Sequence, residues 1–399
     1  MNASKCGASG EGPPGKRPAE EYRGVEQGPI RPPSEAESLL LRVTRNCPWN
    51  KCEFCPVYKG ARFSRRPLEH VLADIDAIAA FIRRFQRVAS ESGRISQADL
   101  RREFADLGDD DTAAFSVAWN WYARGMRSVF LQDANSLIMK PADLVRVLGR
   151  LREHFPDIER ITTYARSQTI TKISDVEMRE LAFAGLNRIH VGFESGSDTV
   201  LALVKKGATK AQHIEAGRRV VRAGIELSAY YMPGLGGVEL WPENARETAD
   251  LMNQVNPHFI RLRSLAIPDQ VPLAERVRLG SFTKAGDVTV AREVLLFIES
   301  LEGITSTVKS DHILNLFQDL EGSLPVDKER LLAIPRAFLA LSPEQQRLYQ
   351  IGRRHGLFAG PADMDDPERV EYAERLSRRL AVSEDNVDDI VDRLTQQFI

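Results

Sequence analysis

The sequence has few cysteines, no long apolar run and almost no net charge. Its 399 residues include four cysteines, too few for a disulfide framework in a chain of this length. No apolar run approaches the roughly 20 residues needed to span a bilayer, and residues 1–36 lack the apolar core of a secretory signal. The formal net charge of −2 gives no electrostatic reason to expect a nucleic acid or a membrane surface as partner. We therefore predict a cytoplasmic protein that binds neither.

Composition divides the chain into three regions. Residues 1–36 are rich in Gly, Pro, Lys, Glu and Ser, and because they can bury little apolar surface we predict a disordered tail. Residues 37–328 alternate short apolar runs with amphipathic stretches and form the predicted core. Residues 329–399 have no further strand pattern and are typical of charged amphipathic helices, which predicts a helical C-terminal extension.

The pattern of the core predicts an α/β fold with a parallel sheet. Gly185 and Gly224 follow helical stretches, at the position where a left-handed cap residue is wanted. Six or seven strand–helix units favour a closed or partial barrel wrapped by helices. The predicted strands are Leu39–Thr44, Ser128–Gln132, Ile161–Tyr164, Arg188–Phe193, Glu226–Met232, Phe259–Leu265 and Ser306–Lys309.

The connection between the first two predicted strands is much longer than a simple crossover requires. Helical patterns occupy it at Pro67–Val88, Gln97–Leu107 and Thr112–Arg124. Residues 67–127 are therefore predicted to be an inserted helical cap.

Several predicted strands have a polar face as well as an apolar one. Arg261 and Arg263 share a face of one strand, and His190 and Glu194 share a face of another. The apolar rows suit packing against helices, which places the polar rows inside the barrel. Buried charges are costly unless they are paired or bind a charged ligand. The rows indicate an anionic or zwitterionic ligand, and pairing of the charges with one another remains the alternative.

Three cysteines, Cys47, Cys52 and Cys55, lie close together directly after the first predicted strand. A structural zinc site needs a fourth ligand, and the nearest histidine, His70, lies beyond the start of a helix. A cluster with four cysteine ligands fails for the same reason, since Cys6 lies in the predicted tail. The residues therefore favour a cubane iron–sulfur cluster on three thiolates, with one iron open to another ligand.

The cysteine loop and three later segments resemble the radical S-adenosylmethionine (SAM) superfamily over about residues 38–330. The usual loop, C-x3-C-x2-C with an aromatic residue before the last cysteine, is one residue longer here. His190–Asp198, followed by Lys205-Lys206-Gly207, resembles the G-x-E-S-G-S-D…K-K-G run of the coproporphyrinogen-oxidase-like and methylthiotransferase-like branches. Phe130–Asn135 and Met232–Gly237 occupy the places of the family's "GGE" and adenine-contacting segments.

The resemblance implies a partial (β/α)6-type parallel barrel, a 4Fe–4S cluster on the three cysteines, and SAM chelated by the open iron. In the family an electron, supplied by a donor such as a flavodoxin or ferredoxin, cleaves SAM to a 5′-deoxyadenosyl radical. The resemblance places Glu194 near the SAM ribose and Lys206 near the SAM carboxylate. The implied SAM-binding residues are Phe54, Gln132, Asp133, Arg166, Glu194, Ser195, Lys206, Met232 and Gly234.

The sequence defines the substrate side less well. A lone histidine is more often a structural residue than a catalyst, and aromatic residues on strands are usually core. The candidates are Arg261, Arg263 and His190 for binding substrate, and Tyr164, Asp311 and His312 for catalysis.

The expected function is abstraction of hydrogen from a small organic substrate, with an oxidoreductase or lyase outcome. Methylthio transfer would require a second cluster and more cysteines than the chain has. The alternative is a non-catalytic iron–sulfur, haem-binding or metal-binding protein that serves as a carrier, sensor or chaperone.

Overall fold

Seven parallel strands and one antiparallel strand form the main sheet. The computed structural model describes residues 20–105 and 107–398. The strands are β1 (Leu39–Arg42), β2 (Thr44–Arg45), β3 (Ser64–Arg65), β4 (Ser128–Gln132), β5 (Arg160–Ala165), β6 (Arg188–Glu194), β7 (Glu226–Tyr231), β8 (Phe259–Leu262), β9 (Thr307–Lys309) and β10 (Gly322–Ser323). Across the main sheet they follow the order β1-β4-β5-β6-β7-β8-β9-β10, and β2 pairs with β3 separately. Only β10 is antiparallel to its neighbour in the main sheet.

Helices connect the strands and form an outer layer. They are α1 (Leu68–Ser92), α2 (Gln97–Glu103), α3 (Asp109–Tyr122), α4 (Pro141–His154), α5 (Ser167–Ile170), α6 (Asp175–Phe183), α7 (Asp198–Leu203), α8 (Lys210–Arg222), α9 (Gly237–Val255), α10 (Pro272–Arg278), α11 (Asp287–Glu299), α12 (Lys328–Ala340), α13 (Pro343–Arg354), α14 (Pro367–Arg379) and α15 (Val387–Thr395). Because each crossover moves one strand in the same direction, the architecture is of the partial-barrel type that the sequence predicted.

Local signals explain where these helices begin and end. Ser174 and Thr209 accept hydrogen bonds from backbone N–H groups of α6 and α8, each in a capping box. Gly185 and Gly224 follow the same two helices with φ of 107° and 78°, as the sequence predicted. These signals fix where each connection leaves its helix and returns to the sheet.

The two faces of the sheet bury different kinds of side chain. Leu39 and Leu41 of β1 belong to the large apolar core between strands and helices. Leu40, between them, packs with Phe130 and Tyr164 in a small separate cluster. The period-2 alternation of each strand therefore separates an outer apolar face from an inner face that also carries polar groups.

The insertion between β1 and β4 lies in the outer helical layer. Phe85 of α1 contacts Phe104, Phe115 and Trp119 at ring-centroid distances of 5.2, 5.7 and 5.3 Å. Trp121 Nε1 donates to the carbonyl of Ser128 at 2.9 Å. These aromatic contacts fasten α1–α3 to one another and to the edge of the sheet.

The prediction of a disordered tail is wrong for residues 20–36. The Tyr22 hydroxyl donates to Asp74 Oδ1 at 3.0 Å, and Gly28 N–H donates to Gln132 Oε1 at 2.7 Å. Glu35 is fully buried, and Ile30 packs on the aromatic cluster of the inner sheet face. Polar partners on the sheet and on α1 hold this segment, although it contributes little apolar surface. Residues 1–19, with Cys6, lie outside the described part of the chain.

The C-terminal extension is helical and continuous with the main core. Phe338, Tyr349 and Phe358 belong to the large apolar cluster, and Arg353 Nε donates to the carbonyl of Asn315 at 2.9 Å. Lys284 pairs with Asp392 of α15. None of the described helices combines the length and apolar character needed to cross a membrane.

Candidate functional site

A cavity of about 350 Å³ opens at the carboxyl ends of the parallel strands. This is the edge where barrels of this kind place their functional groups, because the loops after successive strands converge there. Its lining comes from the loop after β1, from the ends of β5, β6 and β7, from the segments after β8 and β9, and from both described ends of the chain. The residues used below are Ile30, Cys47, Cys52, Phe54, Cys55, Tyr164, Arg166, Gly192, Glu194, Lys206, Tyr230, Met232, Arg263, Ala266, Pro268, His312, Leu314 and Phe398.

All three clustered cysteines line this cavity as free, half-buried thiols. Burial raises the pKa of the Cys52 thiol, and the charges of Lys206 and Arg166 act in the opposite direction. Within the described ranges, no three His, Cys, Asp or Glu side chains converge on the position of a single metal ion. A cubane cluster has a different requirement, since each of its thiolate ligands binds a separate iron.

The cysteine loop is fastened to the turn that carries Lys206. Trp49 Nε1 donates to the carbonyl of Lys205 at 2.8 Å, and Glu53 N–H donates to the carbonyl of Val204 at 2.9 Å. The Glu53 carboxylate lies 2.6 Å from Lys205 Nζ. Sequence reasoning missed Trp49 and Glu53, although both lie between the clustered cysteines in the sequence.

Gly207 allows this close approach. Its φ is +66°, and a Cβ at this position would lie 2.1 Å from the Trp49 ring. A side chain would therefore meet both an unfavourable backbone conformation and a rigid ring.

Replacing Gly207 by alanine is expected to displace Trp49 and lower the iron content of the anaerobically reconstituted protein several-fold. Gly224→Ala is the matched control, because Gly224 has a φ of +78° with nothing within 4 Å of a built Cβ. Iron and sulfide analysis with visible absorbance measures both variants. Equal iron content in the two variants would contradict the anchoring role of the Trp49–Gly207 contact.

Glu194 and Lys206 form a pair at the cavity wall. Lys206 Nζ donates to Glu194 Oε1 at 3.2 Å, while the buried Oε2 of Glu194 has no hydrogen-bond partner in the described structure. Glu194 has a φ of +65° at an irregularity of the β6–β7 pairing, and such irregularities re-aim side chains near functional sites. A Cβ on Gly192 would lie 2.3 Å from Glu194 Oε1. The glycine thus leaves room for a carboxylate with a free acceptor.

Arg166, Phe54 and Met232 complete the side of the cavity nearest the cysteines. The Arg166 guanidinium lies 5.1 Å from the Trp49 ring centroid and donates to the carbonyl of Lys206 at 2.9 Å. Phe54 and Met232 belong to one apolar cluster. Lys206 Nζ lies 5.8 Å from the Phe54 ring centroid. This side of the cavity therefore contains the three thiols, the two cationic side chains and an apolar surface.

Four residues predicted to bind SAM do not line the cavity. The Gln132 amide accepts from Gly28 N–H and donates to the carbonyl of Ile30. Asp133 accepts from Arg42 and from Asn46 N–H. Ser195 Oγ accepts from Ser197 N–H, and Gly234 N–H donates to Glu293. These groups brace the loops behind the cavity.

Three of the predicted substrate and catalytic residues lie away from the cavity. Arg261 bonds to Asp311 and donates to Ser228 Oγ. His190 is fully buried, with Nε2 3.8 Å from Glu35, and burial lowers its pKa to about 4. Arg261, Asp311 and His190 do not line the cavity, so the structure does not bring these three predicted residues together with the cysteines. Tyr164, Arg263 and His312 do line the cavity.

A buried carboxyl supports the glycine-rich turn after β7. Glu293 accepts from Tyr231 Oη at 2.7 Å, from Asn244 Nδ2 at 2.7 Å and from Gly234 N–H at 2.8 Å. Burial raises the pKa of Glu293 to about 7, against the effect of these three donors. No sequence pattern pointed to this residue, because it lies on α11, far along the chain from the turn that it supports.

The free energy of unfolding of the wild type, relative to Glu293→Gln, is expected to fall between pH 4.5 and pH 7. The folded state keeps a proton that the unfolded chain releases near the ordinary pKa of 4.5, so this stabilisation is complete below that pKa and is lost as pH rises through about 7. The loss is on the order of 3 kcal/mol. Denaturant unfolding at pH 5 and pH 8 measures it. A difference between the two proteins that does not change with pH would contradict the assignment.

Part of the chain is similar to known proteins. Residues 115–250 match the model of the Radical SAM superfamily. The chain is 33% identical over 141 residues to the tRNA-2-methylthio-N(6)-dimethylallyladenosine synthase of Syntrophus aciditrophicus (strain SB), covering 33% of this chain and 29% of that protein. It is 20% identical over 224 residues to the tRNA uridine(34) acetyltransferase of Methanocaldococcus jannaschii, covering 54% of this chain and 40% of that protein. The chain thus matches less than half the length of these curated relatives.

Among solved structures, the cobalamin-dependent S-adenosylmethionine radical enzyme OxsB aligns with a TM-score of 0.44 at 14% identity, covering 85% of this chain and 49% of that one. The family match begins after the cysteine loop and includes the Glu194 and Lys206 segments. Residues 115–250 are therefore similar to the radical SAM superfamily, and this similarity indicates a 4Fe–4S cluster and SAM as cofactors.

Proposed function

We propose that this chain is a radical SAM enzyme that abstracts hydrogen from a small organic substrate, with an oxidoreductase or lyase outcome. One observation carries the proposal: three thiols from one loop and the Glu194–Lys206 pair face the same cavity. Cys47, Cys52 and Cys55 would hold the cluster, and the cavity beside them would hold SAM. When bound, this pair of cofactors supplies a one-electron cleavage that yields a 5′-deoxyadenosyl radical.

The polar groups of the cavity fit such a ligand. The free acceptor of Glu194 suits a ribose hydroxyl donor, and the Lys206 ammonium suits a carboxylate. Lys206 and Arg166 also offset the negative charge that thiolate ligands bring into a partly buried site. Each group therefore has a binding or charge-balancing task.

The apolar groups of the cavity exclude water from a reactive intermediate. Phe54 and Met232 form the wall beside the cysteines. Ile30 and Phe398, from opposite ends of the described chain, line the same cavity. A cavity narrowed by both chain segments favours a small substrate.

A nucleic acid substrate is the second candidate, because both curated relatives are named for reactions on tRNA. The four cysteines of this chain do not suffice for the two clusters that methylthio transfer would need. We therefore favour the small substrate, and propose a flavodoxin or ferredoxin as electron donor.

The test is anaerobic reconstitution with iron and sulfide, followed by SAM and dithionite and an assay for 5′-deoxyadenosine. We expect deoxyadenosine above the level of protein that lacks a cluster. A demonstrated cluster without deoxyadenosine would overturn the proposal in favour of a non-catalytic iron–sulfur protein. A several-fold rise in deoxyadenosine on addition of bulk tRNA would overturn the small-substrate assignment.

A further inference from the structure

Two arginines on the same face of the β8 segment have opposite surroundings. Arg261 bonds to Asp311 and Ser228, and it does not line the cavity. Arg263, two residues later, lines the cavity and makes no ion pair with any acidic residue of the described chain. A guanidinium withdrawn from water without an anion is costly. Arg263 therefore has no direct ion-pair partner among the described residues, and a bound anion could supply one.

His312 adds a second hydrogen-bond donor beside Arg263. Its Nδ1 accepts from Leu314 N–H at 3.4 Å, which places the proton of the neutral imidazole on Nε2. Burial, followed by the positive charge of Arg263, lowers the pKa of His312 to about 4. The ring is therefore neutral near pH 7 and offers Nε2–H.

Aromatic and apolar groups surround these donors. The Arg263 guanidinium lies 5.2 Å from the Tyr230 ring centroid, and the buried Tyr230 hydroxyl has no hydrogen-bond partner in the described structure. Ala266, Pro268 and Leu314 line the same part of the cavity. This combination suits an organic anion with an apolar body.

These donors are separate from the cations of the cofactor side. Lys206 and Arg166 are the cations that act on Cys52, whereas Arg263 acts on His312 and lies beside Tyr164. Glu194 pairs with Lys206 at 3.2 Å, and its charge also raises the pKa of Arg263. One side of the cavity is thus formed by the cysteine loop, and the other side, after β8 and β9, carries the hydrogen-bond donors Arg263 and His312.

We propose that Arg263 and the Nε2–H of His312 bind the carboxylate of the substrate. This inference rests on the proposed function, which it extends by naming the substrate class. The planar guanidinium matches a carboxylate in a bidentate arrangement. One positive charge balances a monoanion, whereas a phosphate monoester would bring nearly two negative charges close to the Glu194 carboxylate.

The test measures binding of matched ligand pairs to the reconstituted protein with SAM, without reductant. The probes are benzoate, phenylacetate, indole-3-acetate and hexanoate, their neutral amides, and benzyl phosphate, each by isothermal titration calorimetry. At least one carboxylate is expected to bind about 10- to 100-fold more tightly than its amide, as a charge-assisted hydrogen bond implies. In Arg263→Gln that ratio should fall to about one. Arg261→Lys is the control, because a lysine can still pair with Asp311. In this variant the carboxylate should still bind more tightly than its amide.

Arg263→Lys keeps the positive charge but not the planar guanidinium. It should recover part of the carboxylate preference that Arg263→Gln loses, which shows that the loss comes from the missing charge and not from misfolding. The inference is wrong if no carboxylate outbinds its amide, if benzyl phosphate binds most tightly, or if the preference survives in Arg263→Gln. Deoxyadenosine formation by the wild type is measured on the same preparation. If the carboxylate preference is present but deoxyadenosine is absent, the anion site stands and the proposed radical chemistry fails.

Discussion

Replacing Cys52 by alanine is expected to reduce both iron content and 5′-deoxyadenosine formation to background. The three thiols that line the cavity come from one loop. A cubane that loses one of these three thiolates finds no further cysteine in the described part of the chain to replace it. Cys47→Ala and Cys55→Ala should behave in the same way. Iron and sulfide analysis, visible absorbance and the deoxyadenosine assay measure the effect.

Cys6→Ala is the control for nonspecific loss of thiol, since Cys6 lies outside the loop. This variant should keep the iron content and the cleavage rate of the wild type. A Cys52→Ala protein that remains brown and cleaves SAM at the full rate would show that the cluster ligands lie elsewhere. Loss of iron in Cys6→Ala would contradict the three-thiolate assignment.

Replacing Glu194 by glutamine is expected to weaken SAM binding about 10- to 100-fold while leaving the iron content unchanged. The substitution keeps the shape of the side chain but removes the charge of the free Oε2 acceptor and of the oxygen that meets Lys206. A hydrogen bond to a charged group contributes about 1.5–3 kcal/mol. Equilibrium dialysis with labelled SAM on the reconstituted protein measures the change.

Glu299→Gln provides the matched control, because Glu299 is a surface carboxylate that pairs with Arg336 outside the cavity. Its SAM affinity and iron content should equal those of the wild type. Unchanged SAM affinity in Glu194→Gln would remove Glu194 from the SAM site. Loss of iron in that variant would instead assign it a structural role in the cysteine loop.

The sheet could be predicted closely, because each strand carries its own local pattern. Ser128–Gln132 was predicted with its exact residues as β4, and Arg188–Phe193 differs from β6 by one residue. Glycines at helix ends, such as Gly224, act over a few neighbouring residues and do not depend on distant parts of the chain. These elements could therefore be predicted because interactions between residues close in sequence determine them.

The N-terminal segment could not be predicted in the same way. Residues 20–36 look disordered by composition, yet Glu35 becomes fully buried and Ile30 joins the inner cluster. Their partners, including Gln132 and Asp74, lie far along the chain. Amino-acid composition does not predict hydrogen bonds to distant residues, because these bonds form only once the chain has folded.

Residue patterns along the chain were enough to predict the α/β alternation, the three-cysteine loop and the resemblance carried by Glu194 and Lys206. Which polar residues face the cavity became clear only from the folded arrangement of the chain. Arg261 and Arg263 are equivalent in the strand pattern, but Asp311 neutralises only the first. Gly207 looks like an ordinary turn glycine, but Trp49 lies against it. Local patterns specify secondary structure over a few residues, whereas the pairing of buried charges depends on contacts between distant segments that only the folded chain brings together.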